Sequence, residues 1–99
     1  MSDPRLEAAL AIARERYQAI ATDDDAAFEA TLQAHADACA ALEGVVATAA
    51  EADVQAMNEL LAIETQTLAE IARVSRETSA RIGVLRTGGK TAAAYRTAP

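Results

Sequence analysis

The stretch VQAMNELLAIETQTLAEIARV, residues 54–74, decides the fold. Its larger apolar residues Val54, Met57, Leu61, Leu68 and Ile71 recur at helical steps, and Leu60, Ile63 and Val74 widen the stripe. Such spacing returns the side chains to one face of an α-helix, and no proline or glycine interrupts it. The stripe continues to Ile82 and Leu85, diluted by Ser75, Thr78 and Ser79, until the pair Gly88-Gly89 signals a helix end. Upstream, Thr48 with Glu51 reads as a capping box, so the pattern predicts a helix over 49–86.

Working outward, the spacing predicts a helix over 3–21, with Ser2 or Asp3 as N-cap and Pro4 in the first turn, where its missing N–H does no harm. Leu6, Leu10, Ala13, Tyr17 and Ile20 form its seam. The cluster Thr22, Asp23, Asp24, Asp25 stops it and caps the next helix, because short polar side chains compete for backbone hydrogen bonds. That next helix, 25–46, carries Phe28, Leu32, His35, Cys39, Leu42 and Val46, which puts His35 and Cys39 on the apolar stripe. Gly44 weakens its end, yet Val46, Ala50, Val54 and Met57 would also continue one helix, so the break stays open at this point. KTAAAYR, 90–96, predicts a short fourth helix able to fold back on a Gly88-Gly89 hinge.

The expected fold is therefore all-α: an antiparallel helical hairpin plus one long helix, forming a three-helix bundle, with a short C-terminal fourth helix, in a single domain. Composition agrees, since 52% of the 99 residues are hydrophobic but only 3% aromatic, and alanine favours close-packed helices over strands. A helix from Thr48 to Leu85 is roughly 55 Å long, whereas its two predecessors reach roughly 30 Å. From about Ile71 onward the long helix must be solvated, paired with a second copy, or covered by another chain.

Charge divides the molecule. Residues 1–72 hold three basic and 14 acidic side chains, net −11, and residues 73–99 hold six basic and one acidic, net +5. The basic end is expected to be a solvated helix terminus or a dock for an acidic protein; the acidic remainder opposes nucleic acid, which is not expected as a partner. With no basic leader before a long apolar run, the sequence predicts a cytoplasmic protein with no membrane insertion. Cys39 is the one cysteine, so no internal disulfide can form, and a small core side chain is expected there.

Nothing in the sequence assembles into catalysis or a cofactor site. Gly89-Lys90-Thr91 lacks the glycine that a phosphate-binding loop places five residues earlier, since Val84 stands there. The single histidine, His35, follows Leu32 rather than a glutamate, so no di-iron pair is formed. Glu64 is the one charge on the long helix's seam, expected at a bundle edge or against a partner's basic group. The reading is of a binding protein that is not an enzyme and needs no metal.

Three stretches carry a resemblance: RYQAIATDDDAAFEATLQAHADACAAL (16–42), NELLAIETQTLAEIA (58–72) and LRTGGKTAAAYR (85–96). Together they resemble the flagellar type III export chaperones of the FliT and FlgN kind over roughly residues 6–96. The resemblance implies a chaperone for an amphipathic C-terminal helix of a secreted flagellar protein, of the filament-cap or hook-filament-junction type. The cargo groove would be lined by Leu60, Leu61, Ile63, Leu68 and Ile71, extended by Val74, Ile82 and Leu85. Tyr95 occupies the place of the family's tyrosine that docks on the export apparatus, and residues 90–96 that of a lid. The chain is shorter than typical members and its break near Gly44 is indistinct, which leaves a domain-swapped or extended homodimer open.

Overall fold

The computed structural model describes residues 2–46 and 50–97, with side chains described as far as Thr87. It contains helices α1 (Pro4–Ala21), α2 (Asp25–Ala30), α3 (Leu32–Val46) and α4 (Glu51–Thr97), and no strand among the described residues. The all-α class follows.

Asp3 rather than Ser2 caps α1: its carboxylate accepts the Arg5 backbone N–H at 2.9 Å and pairs with the Arg5 guanidinium at 2.8 Å. The hydrogen bonds from the Arg5 side chain, then from its backbone N–H, hold the Asp3 carboxyl down at about 2, against an ordinary 3.8. A depressed carboxyl stabilises the fold above its unfolded value, so this contribution is complete above about pH 4 and fades as pH falls towards 2. An NMR titration of Asp3 is expected to give a midpoint near 2; a midpoint near 3.8 would mean the cap is not formed.

At its other end α1 closes on a Schellman motif. Asp24 N–H donates to Ala19 O at 2.9 Å and Asp23 N–H to Ile20 O at 3.2 Å. Asp23 takes the left-handed position (φ 57°), which aspartate tolerates better than most side chains. Asp24 then caps α2 by accepting Ala27 N–H at 3.0 Å.

Three boundaries differ from the sequence reading. The helix expected over 25–46 is interrupted at Thr31, whose hydroxyl and N–H both turn onto Phe28 O, at 2.6 and 3.1 Å. A threonine hydroxyl competing for a carbonyl three residues back bends a helix in this way. The end expected at Gly88-Gly89, with a separate helix over 90–96, is not drawn: α4 runs to Thr97. Two glycines weaken a helix by about 1 kcal/mol each, but an alanine-rich flank without proline carries it on. The start of α4 also shifts. Thr48 lies outside the described residues, and the described cap is formed by Asp53, which accepts Ala50 N–H at 3.1 Å and reaches back to Asp3 N–H at 2.7 Å.

The Asp53 bridge at one end and Arg73 at the other, whose guanidinium meets Ile20 O at 3.3 Å and Asp23 at 3.1 Å, show that α1 and α4 run parallel. Asp23, Glu70 and Glu77 surround Arg73 and hold its guanidinium protonated more firmly than usual. Helix α3 returns antiparallel along α1. The core is small: Leu6, Leu10 and Ala56 are buried, with Leu42, Met57, Leu60 and Ile63 packed around them. Beside it Arg16 is buried with Phe28 over its guanidinium at 5.0 Å, a cation–π contact. The molecule is a rod, 75 × 22 × 20 Å.

Candidate functional site: an open corner of the bundle

Helices α3 and α4 both pack along α1, but among the described residues their backbones do not pack against one another. In a four-helix square that is the relation of diagonal corners, with α1 at the corner between them. The fourth corner carries no helix. Across it a polar pair of long side chains meets: His35 Nε2 of α3 lies 3.0 Å from Glu64 Oε1 of α4. The two polar residues on the two seams are thus each other's partner, and Glu64 does not simply reach to solvent. Cys39 Sγ is 3.6 Å from the same imidazole nitrogen; this cysteine is exposed, not the core side chain expected.

One turn either side of Glu64, and one turn before and three turns after His35, stand large apolar residues left open. On α4, Leu61 is 66% exposed and Leu68 65%, in line with Val54; on α3, Leu32 and Val46 are also exposed. Residues three and four apart share a helix face, so these rows flank the His35–Glu64 contact and border the empty corner. The face of α4 turned to α1 is a different one: Asp53, Ala56 and Thr67 are buried on it and Leu60 and Ile63 packed near them. Thr67 satisfies its hydroxyl internally by donating to Ile63 O at 2.9 Å.

The residues assigned from the sequence therefore divide. Leu60 and Ile63 belong to the bundle's own core, which corrects their placement in a cargo groove: they pack against Leu6 and Leu10. Leu61 and Leu68 border the open corner, and Ile71 and Val74 are half-buried at its end. Ile82 and Leu85 lie beyond the bundle on the overhanging part of α4, exposed together with Val84. The side chain of Tyr95 lies outside those described. Sequence reading missed Leu32, Val46 and Val54 as open residues. The signal was present in their sevenfold spacing, 32–39–46 and 54–61–68, one position away from the row 53–60–67, which is turned towards α1.

Among the described residues no group of three His, Cys, Asp or Glu side chains is placed to hold a metal ion, and no helix is long and apolar enough to cross a membrane. What the corner offers chemically is an apolar trough with one polar pair on its floor, in a body of negative charge. No protein-family model, curated protein or solved structure matches this chain.

Proposed function

We propose that the protein is a non-enzymatic binding module that takes an amphipathic helix of another protein into the open corner between α3 and α4. The observation that carries this is the pair of apolar rows, Leu32 and Val46 on one side and Val54, Leu61 and Leu68 on the other, exposed along a bundle with three corners filled. A helix presenting apolar side chains at i, i+3, i+4 and i+7 would bury those rows and complete the square. Because residues 1–72 carry net −11, a helix with basic flanks would be favoured on approach.

The particular form of this reading is a cytoplasmic secretion chaperone. Its cargo would be the C-terminal helix of a secreted flagellar protein, of the filament-cap or hook-filament-junction type, and Tyr95 would serve docking on the export apparatus. The sequence resemblance supports the cargo and the tyrosine; the trough supports helix capture alone.

The test is fluorescence anisotropy with labelled synthetic peptides. A peptide spanning the C-terminal helix of the organism's filament-cap protein is expected to bind saturably and gain helicity, while a scrambled peptide of the same composition does not. Equal, weak binding of both would remove the chaperone reading. Binding of an unrelated basic amphipathic helix with the cap peptide inert would leave helix capture standing and discard the flagellar cargo.

A further inference from the structure

The overhang of α4 has the length, the charge and the pattern to fill the open corner of another copy of the same chain. Helix α4 divides near its middle: Glu51–Val74 lies along the bundle, and Ser75–Thr97 extends past it. The two halves are 24 and 23 residues, about 35 Å each. An overhang laid antiparallel on the bundled half of a second copy would therefore cover most of the trough's length.

Charge favours the match, because the overhang belongs to the +5 segment and the trough to the −11 segment. At the rim, where α4 leaves the bundle, Asp23, Asp25 and Glu77 line a concavity of about 200 Å³ together with Val74, Thr78 and Arg81. Asp23 and Glu77 there already pair with Arg73, so the attraction of an arriving segment that bears Arg76, Arg81 and Arg86 rests on the net charge of the two segments.

The pattern is the most specific of the three arguments. Along α4 the open residues Val54, Leu61 and Leu68 alternate with Met57, Glu64 and Ile71, which lie nearer the core, and this seam continues without a phase shift as Ser75, Thr78, Ile82, Leu85. Its steps alternate between three and four, the seam of a coiled coil. Turned antiparallel on itself about a twofold axis between Arg76 and Glu77, the seam places Ile71 opposite Ile82, Leu68 opposite Leu85, and Ser75 opposite Thr78. Apolar residues meet apolar ones and the two small hydroxyl residues fall together at the centre. A twofold contact must be self-complementary in this manner.

We propose that the protein forms an antiparallel homodimer in which the α4 overhang of each copy occupies the corner between α3 and α4 of the other. Two incomplete bundles become two four-helix bundles joined end to end, and Leu61, Leu68, Ile82 and Leu85 leave water together. The proposal uses the same corner as the binding function but does not depend on any foreign cargo; a cargo helix would enter by displacing the overhang.

Site-directed cross-linking on the full chain tests it, in a Cys39→Ser background to remove the native thiol. Leu68→Cys protein mixed with Leu85→Cys protein is expected to form a covalent heterodimer under mild oxidation, whereas Leu68→Cys alone is not. Sedimentation equilibrium of the unaltered chain is expected to give twice the 10.3 kDa chain mass. Ile82→Glu with Leu85→Glu should weaken the dimer at least tenfold while leaving helicity unchanged, since both residues are exposed in the single chain. A monomer at 100 µM, or Leu68→Cys linking to itself in preference to Leu85→Cys, overturns the proposal. Peptide capture by a strictly monomeric protein would overturn the dimer and leave the binding function intact; a cross-linked dimer that ignores every peptide would do the reverse.

Discussion

Leu10→Ala is expected to destabilise the protein by about 3 kcal/mol, the middle of the range for a leucine removed from a packed core. The reason is how little core there is. Leu6 and Leu10 are the two large side chains of α1 that are fully withdrawn from water, and Ala56, Met57, Leu60, Ile63 and Leu42 close around them. Alanines at 9, 13 and 19 share the rest of the inner face of α1 with Ile20 and Arg16 and add little apolar area of their own. A domain of this size is stable by roughly 5–15 kcal/mol, so the loss consumes a large share and shifts Tm down by more than 10 °C. Urea denaturation followed by circular dichroism checks it. Val84→Ala, at an exposed site on the overhang, is the control and should change stability by less than about 0.5 kcal/mol. Comparable losses for both would mean that the bundle is not where the stability resides.

The second large effect separates binding from folding. Leu61→Asp together with Leu68→Asp is expected to reduce capture of an amphipathic helix at least a hundredfold, because two buried apolar anchors become desolvated charges at the centre of the interface. Stability of the isolated chain should hold within about 1 kcal/mol, since both side chains are about two thirds exposed before anything binds. The companion pair Leu60→Asp and Thr67→Asp would unfold the bundle instead, those positions being turned towards α1. Anisotropy with the peptide and a thermal melt on the same samples distinguish the two outcomes. Binding that survives Leu61→Asp with Leu68→Asp would place the interface on another face.

The contrast between neighbours one residue apart also explains what the sequence revealed and what it hid. Helix class and number of long apolar stripes were plain from the spacing, and on the first helix Leu6, Leu10, Ala13 and Ile20 are inward as the spacing indicates, whereas the buried Arg16 beside them was not foreseen. On α4 the inner face contains Asp53 and Thr67, both nearly inaccessible, while the outer row contains Val54, Leu61 and Leu68. A rule that sends apolar residues inward therefore selects a face turned by one position. Asp53 is buried because it caps α4 and holds Asp3 N–H, and Thr67 because its hydroxyl returns to its own helix. Neither compensation is visible until the chain is folded.

Other misreadings have the same character. Thr31 looked like an ordinary helical residue, and the interruption there depends on its hydroxyl reaching Phe28 O. Cys39 on an apolar stripe looked buried; its stripe faces the corner that no helix of this chain fills. His35 and Glu64 each looked like isolated polar intrusions, and they meet because α3 and α4 stand diagonally, at a distance that only long side chains span. An overhang was legible from length alone, since two helices of roughly 30 Å cannot flank one of roughly 55 Å.

The central claim is that the corner between α3 and α4 is a seat for a helix, and the alkylation rate of a single thiol at position 68 measures its occupancy directly. With Leu68→Cys in the Cys39→Ser background, the account predicts fast alkylation in dilute protein and a slowing of at least tenfold when concentrated protein or a binding peptide fills the corner, with helicity unchanged. A rate that stays the same under all three conditions would contradict it.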